Sequence, residues 1–97
     1  MSAYLVVRIL EITDPSWIEE YSAKAGPVVE KHNGQYIAKA PAALLEGDGP
    51  LPALTALLKF PSVADCENFY KDPEYQALLD LRNTGSKSEF SIVEGLD

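Results

Sequence analysis

The sequence contains few of the residues that metal sites, disulfide scaffolds and nucleic-acid interfaces need. Its 97 residues include one cysteine and one histidine, too few for an intrachain disulfide or a structural zinc site. Eight lysines and arginines stand against fifteen aspartates and glutamates, a formal net charge of −7, and the basic residues are scattered. Neutralising a row of phosphates requires clustered positive charge. We therefore expect no nucleic-acid partner, no metal centre and, from the lone cysteine, a reducing compartment such as the cytoplasm.

Long apolar runs and glycine-rich phosphate loops are missing as well. A bilayer-spanning helix needs about 20 apolar residues, and the apolar opening Met1–Ile12 is interrupted by Arg8 and Glu11. Without a basic leader it predicts a strand rather than a signal peptide. The segment Glu46–Gly49 is acidic where bound phosphate needs bare amides or positive charge. We expect no membrane partner, no nucleotide and no cofactor.

The sequence does contain a regular succession of strand and helix patterns. Apolar, β-branched and aromatic residues predict four strands: Ala3–Ile12, Gln35–Ala40, Leu54–Phe60 and Ser88–Glu94. Asp14-Pro15 and Asp72-Pro73 are start signals for helices, and Ser62 with Asp65 has the spacing of a capping box. Thr84-Gly85-Ser86 is predicted to end the last helix, and Pro41–Ala53 to form a long loop or an irregular hairpin tip.

The first helix carries an apolar stripe that ends at His32. Pro27 lacks the amide that bonds to the carbonyl four residues back and disfavours helical geometry at Gly26, so a kink or a restart is predicted there. Asn33-Gly34 then closes the helix, because both residues tolerate the left-handed conformation.

The order strand, helix, strand, strand, helix, strand predicts an α+β fold of the ferredoxin-like βαββαβ type, with a four-stranded antiparallel sheet in a single domain over residues 1–97. Helices on one sheet face would leave apolar residues on the other. In either phase this uncovered face would include several members of one set: Tyr4, Val6, Leu10, Leu54, Ala56, Leu58, Phe60, Phe90 and Ile92. The sequence therefore predicts a homodimer through the sheet face.

Seven segments spread over nearly the whole chain carry a family resemblance. They are Ile12–Pro15, Glu30–Tyr36, Leu45–Asp48, Phe60–Ser62, Phe69-Tyr70, Pro73–Gln76 and Val93–Leu96. In this order they resemble the small bacterial domain-of-unknown-function family thirteen-thirty. That family is similar to the dimeric α/β-barrel superfamily, whose members include muconolactone isomerases, cofactor-free antibiotic-biosynthesis monooxygenases and haem-degrading enzymes. The resemblance implies two ferredoxin-like subunits whose sheets form one barrel.

His32 and Arg8 are the two candidates for catalysis, and each has an alternative structural interpretation. His32 can exchange protons near neutral pH, or it can donate to free carbonyls in the last turn of a helix and meet the negative end of its dipole. Arg8 lies mid-strand, where it can hold a substrate carboxylate or enolate, or pair with Glu94 or Glu89 on a neighbouring strand.

The candidate ligand-binding residues are three tyrosines and one glutamate. Tyr36, Tyr70 and Tyr75 offer hydroxyls to an oxygenated ligand, although tyrosines at such spacings are commonly core or interface residues. Glu46 is a candidate base, or a solvated carboxylate beside a glycine. Cys66 has no cationic neighbour in sequence and is interpreted as a buried structural thiol.

We expect a pocket between sheet and helices that takes a small, partly apolar organic molecule. If the protein is an enzyme, the resemblance implies isomerisation or cofactor-independent oxygenation. His32 would then be the acid and base, Arg8 the electrostatic stabiliser, and Tyr36 and Tyr75 the positioning groups. The alternative hypothesis is a non-catalytic ligand-binding or protein-interaction module. Convergence of His32, Arg8 and a tyrosine on one pocket would favour the enzyme.

Overall fold

A computed structural model describes all 97 residues, Met1–Asp97. The strands are β1 (Ala3–Ile12), β2 (Gln35–Ala40), β3 (Leu54–Phe60) and β4 (Ser86–Glu94). The helices are α1 (Ile18–Lys31), preceded by a 3-10 turn over Pro15–Trp17, then α2 (Val63–Lys71) and α3 (Pro73–Arg82). Residues 41–53, predicted as a loop, contain no helix or strand. No helix combines the length and the apolar character that crossing a membrane would require.

The four strands form one antiparallel sheet in the order β2-β3-β1-β4. β1 pairs with β3 on one side, with Leu5 opposite Leu58, and with β4 on the other, with Val7 opposite Phe90. Three helices pack on one face of this sheet. This is the predicted ferredoxin-like α+β fold.

The inner face of the sheet is the one covered by helices, and the sequence had left open which residues belong to it. Leu5, Val7 and Ile9 of β1 are buried there, together with alternate residues of β3. Of the nine residues from which the uncovered face was expected to take several, six belong to the inner face: Leu54, Ala56, Leu58, Phe60, Phe90 and Ile92. Both faces of β1 are apolar, so the alternation of apolar and polar residues could not show which face of the strand points towards the helices.

The outer face is the opposite side of the same sheet and carries a mixture of apolar and charged residues. On β1, β3 and β4 its members follow from the register and are Tyr4, Val6, Arg8, Thr55, Leu57, Lys59, Glu89, Ser91 and Val93. Tyr4 and Val6 lie there as expected, and Leu10 is exposed where the pairing of β1 with β4 shifts register.

Helix α1 continues through Pro27 without a break, so the predicted restart does not occur. The steric conflict between a proline ring and the preceding residue involves the Cβ of that residue. Gly26 has no Cβ, and the space around it is open. Glycine before the proline thus removes part of the cost of a helical conformation at this point.

One strand boundary differs from the prediction, and one predicted buried residue agrees with it. β4 begins at Ser86 rather than Ser88, because Ser86 and Lys87 pair with Ile12 and Glu11 beyond the register shift. The polar character of Ser86-Lys87 hid this extension in the sequence. Cys66 is fully buried as expected, and burial raises the pKa of its thiol to about 11.

Candidate functional site

A cavity lies between the inner sheet face and the first turns of α1. It measures about 630 Å³, including its solvent-open mouth, and 13 of its 15 lining residues are hydrophobic. A mainly apolar lining with a few polar groups is typical of small-molecule sites. The polar groups on its wall are few: Trp17, Tyr21, Ser22, Tyr36 and Lys39. The cavity therefore suits a mainly apolar molecule with one or two polar atoms.

Local turns fix the aromatic end of this cavity. Asp14 accepts a hydrogen bond from the Ser16 amide at 2.9 Å and caps the 3-10 turn that carries Trp17. The Gly85 carbonyl accepts from the Thr13 amide at 2.8 Å, and an added Cβ on Gly85 would lie 2.9 Å from the Trp17 ring. Trp17 is 6% exposed, and its indole N–H has no hydrogen-bond partner.

A chain of three polar side chains runs from the cavity wall into the core. The hydroxyls of Tyr21 and Tyr75 lie 2.7 Å apart, and Arg82 Nη1 donates to the Tyr75 hydroxyl oxygen at 2.8 Å. Tyr21 lines the cavity, whereas Tyr75 is fully buried and Arg82 is 3% exposed. Tyr21 also packs edge-on against Trp17, with ring centroids 5.5 Å apart. The chain links a buried guanidinium to a cavity hydroxyl.

Tyr36, which lines the cavity, and Tyr75, which lies behind its wall, both have raised pKa values. Burial raises the pKa of Tyr36 to about 12, and the neighbouring Tyr21 adds to the effect. Burial also raises the pKa of Tyr75 well above its ordinary value, while the charge of Arg82 acts in the opposite direction. Both groups are therefore neutral hydroxyls at physiological pH that can donate hydrogen bonds.

His32 lies outside the lining of this cavity. Its Nε2 is 2.8 Å from Asp72 Oδ2, and its ring packs edge-on against Phe69. Its side chain is 19% exposed, and Asp72 is buried at the start of α3. The partner is thus a carboxylate of a neighbouring helix, not the free carbonyls suggested by the structural interpretation.

Arg8 lies on the outer face, across the sheet from the cavity. Its Nη1 is 2.6 Å from Glu89 Oε1, and both side chains are largely exposed. Glu89 is one of the two partners named in the alternative interpretation of Arg8. The sheet separates Arg8 from the cavity, so His32, Arg8 and a tyrosine do not converge on one pocket.

The remaining candidates lie in different surroundings. Tyr36 lines the cavity, and Tyr75 lies behind its wall. Tyr70 is 37% exposed and borders a separate groove beside α2 and β4. Glu46 is exposed in the loop between β2 and β3. No group of three or more His, Cys, Asp and Glu side chains is arranged to hold a metal ion.

Sequence reasoning missed the polar groups that the cavity does bring together. Trp17 and Tyr21 lie four residues apart in the sequence, a helical spacing that gives them the same face but no distinct role. Arg82 follows Tyr75 by seven residues, two turns along the same face of α3. That spacing is the signal from which the contact could have been predicted. Nothing in the sequence showed that the guanidinium would be buried without a carboxylate.

Solved structures with this fold come from several bacteria. A protein of unknown function from Rhodopseudomonas palustris superposes with a TM-score of 0.77 and 18% identity, covering 99% of this chain and 83% of that one. A dimeric ferredoxin-like protein of unknown function from Jannaschia sp. CCS1 superposes with a TM-score of 0.75 and 12% identity, covering 98% of this chain and 100% of that one. SnoaB, a cofactor-independent oxygenase from Streptomyces nogalater, superposes with a TM-score of 0.69 and 11% identity, covering 99% of this chain and 94% of that one. At these identities the similarity establishes the fold alone.

Sequence comparison gives the family directly. No match was found among curated protein sequences. The profile described as a domain of unknown function, DUF1330, matches residues 2–96, which confirms the resemblance carried by the seven segments. With the ferredoxin-like sheet and its single layer of helices also in place, this chain belongs to the DUF1330 family.

Proposed function

We propose that this protein binds a small, predominantly apolar organic molecule in the cavity between its sheet and α1. The observation that carries the proposal is the cavity wall, which is hydrophobic at 13 of 15 positions and includes Tyr21 and Tyr36. Apolar walls supply affinity through burial, and a few polar groups fix the orientation of the ligand.

A catalytic form of this function is cofactor-independent oxygenation or isomerisation of the bound molecule. Its support is the shared fold with SnoaB, described as a cofactor-independent oxygenase, together with hydroxyl donors in a mainly apolar cavity. Fold similarity alone is a weak guide to chemistry, so binding is the primary proposal. His32 and Arg8 have no part in it, because neither lines the cavity.

We further propose that the working form is a homodimer joined through the outer sheet face. The dimeric ferredoxin-like protein from Jannaschia, similar in fold, supports this assembly. The outer face presents Val6 and Leu57 near its centre, and its arginine is already paired with Glu89. A second subunit could therefore cover the face without burying an unpaired Arg8 charge.

The binding proposal is tested by blocking the mouth of the cavity. Ser22 is exposed and lines the cavity, whereas the adjacent Ala23 is exposed and does not. A screen of small aromatic compounds, monitored by the fluorescence of Trp17, the only tryptophan, should identify binders to the wild type. Ser22→Phe should weaken their binding at least tenfold because the added ring occupies the mouth, and Ala23→Phe should leave it unchanged.

Equal binding by wild type and Ser22→Phe would contradict a ligand site in this cavity. If binding is confirmed, the catalytic form is tested by incubating the best hydroxylated binder with the protein and measuring dissolved oxygen and products. Turnover that Ser22→Phe abolishes and Ala23→Phe preserves would support an enzyme. Binding without turnover would support the alternative, a non-catalytic ligand-binding module.

A further inference from the structure

The cavity wall contains no carboxylate, although the chain has fifteen acidic residues. Its lining includes one cation, Lys39, and the hydrogen-bond donors of Trp17, Tyr21 and Tyr36. The Trp17 indole N–H has no partner within the protein. In a protein of net charge −7, this cavity is a local region of donors and positive charge.

Behind the wall lies a second cation whose charge is not neutralised. Arg82 is 3% exposed and takes part in none of the ion pairs of the chain. Its guanidinium carbon lies 4.2 Å from the centroid of the Phe90 ring, and its Nε–H has no hydrogen-bond partner. Buried charges are normally paired. The positive charge of Arg82 therefore remains available to stabilise a negative charge nearby.

In the hydrogen-bond chain, each group donates to the next one towards the cavity. Arg82 can only donate, so the Tyr75 oxygen accepts from it. Tyr75 is fully buried, and the Tyr21 oxygen is the one acceptor within reach of its proton. The arrangement that satisfies both groups has Tyr75 donating to Tyr21. The Tyr21 proton is then free to donate to a ligand in the cavity that it lines.

We infer that the cavity selects a ligand that carries one oxyanion, a phenolate or enolate, on an apolar ring-sized body, and that the Tyr21 hydroxyl receives this oxygen. Tyr75 and Arg82 are positioning residues that orient and polarise Tyr21 without touching the ligand. A single hydroxyl suits a single oxygen, whereas carboxylates are typically recognised by paired donors such as an arginine fork. The inference rests on the proposed function, because it names the ligand class of the same cavity.

The test uses 4-nitrophenol, whose phenolate absorbs visible light, and 4-nitrotoluene as a neutral probe of the same shape. Absorbance across a pH series gives the ionisation of bound 4-nitrophenol, and calorimetry gives the affinity of both probes. We expect wild type to bind the phenolate roughly tenfold more tightly than the phenol, since charged hydrogen bonds are the stronger ones. Tyr21→Phe should abolish that preference and leave the affinity for 4-nitrotoluene unchanged.

Tyr75→Phe keeps the ring volume and cuts the chain from Arg82 to Tyr21, so it should reduce the phenolate preference severalfold without weakening 4-nitrotoluene. A thermal melt verifies that each variant is folded. Lys39→Met measures the contribution of the other cation of the wall and should reduce the phenolate preference less than Tyr21→Phe does. A phenolate preference that survives in both Tyr21→Phe and Tyr75→Phe, or that disappears only in Lys39→Met, would overturn the inference.

The two proposals fail in distinguishable ways. If neither probe binds wild type at millimolar concentration, the proposed cavity function is contradicted, and the ligand class is overturned with it. If both probes bind equally well and the phenolate is not preferred, the cavity remains a binding site and the oxyanion inference alone is overturned.

Discussion

Asp72 joins two helices through contacts to both of its carboxylate oxygens. Oδ2 lies 2.8 Å from both Lys31 Nζ and His32 Nε2 at the end of α1, and Oδ1 accepts from the Glu74 amide at 2.9 Å. These bonds, that from Lys31 foremost, hold the pKa of Asp72 well below its usual range. The only histidine of the chain is thus one part of a helix junction built around a carboxylate.

The lowered pKa has a definite consequence for stability. A carboxyl group whose pKa is lower in the folded state stabilises the fold above its unfolded value, here about 3.8, and this contribution is lost as the pH falls through the folded pKa. Asp72→Asn retains a good helix cap and removes the charge. We expect the variant to melt at a lower temperature than wild type at pH 7, with the difference shrinking below about pH 3.

Glu74→Gln is the matched control for this measurement. Glu74 contacts the same Lys31 Nζ at 2.9 Å, but its side chain is 66% exposed. Exposed ion pairs contribute roughly 0 to 1 kcal/mol, so this variant should melt close to wild type at every pH. A constant difference between Asp72→Asn and wild type from pH 7 to about pH 2 would contradict the role of the charge.

The sequence identified the capping function of Asp72 but not its contact with His32, which lies 40 residues earlier. Caps are local and appear as short motifs, as Ser62 with Asp65 also shows. The pairs between α1 and α3 and the burial of Arg82 depend on how helices pack. A single sequence does not contain that information, so the polar part of the site became visible only in three dimensions.

Whole elements were predicted far better than side-chain partnerships. The bounds of β1, β2 and β3 agree with the prediction, because period-two patterns and flanking turn residues are strong signals in short strands. β4 began two residues early through pairing beyond a register shift. The unbroken helix at Pro27 departs from the predicted restart, since the general rule for proline did not include the effect of the glycine before it.

Replacing Pro27 tests how this proline affects the stability of helix α1. It is exposed in the interior of α1 and supplies no amide to the carbonyl of Ala23. In a helix interior, proline destabilises the fold by about 3 kcal/mol relative to alanine. Proline also lowers the conformational entropy of the unfolded chain, which offsets about 1 kcal/mol of that loss. Pro27→Ala should therefore raise the free energy of unfolding by about 2 kcal/mol, measured by urea denaturation.

Glu30→Ala, an exposed change in the same helix, should stay within about 0.5 kcal/mol of wild type. A loss of stability in Pro27→Ala would mean that the proline determines the course of α1. The following residues Val28 and Val29, both buried in the core, would then depend on it for their packing.

At the scale of the whole molecule, the outer sheet face decides the state of association. Val6 lies on the central strand β1, opposite Leu57 on one side and Ser91 on the other. If a second subunit covers this face, Val6→Asp places an unpaired carboxylate in the interface at a cost of several kcal/mol. We expect the dimer dissociation constant to rise at least about 100-fold, as measured by light scattering across a concentration series.

Ala23→Asp adds the same charge on α1, in the opposite layer, and should leave the association unchanged. A wild-type chain that has the 10.6 kDa mass of one copy at micromolar concentration would contradict the dimer. So would a Val6→Asp variant that remains folded and keeps twice that mass.

The strand order also has a consequence for synthesis. β1 is central in the sheet, and its partner β4 is formed by residues near the other end of the chain, with Ala3 opposite Glu94. Chains emerge from the ribosome from the N-terminus onward, so β1 keeps one edge unpaired until residues 86–94 have been made. Phe90 of β4 also lines the cavity, so the cavity wall is complete only once β4 has paired with β1.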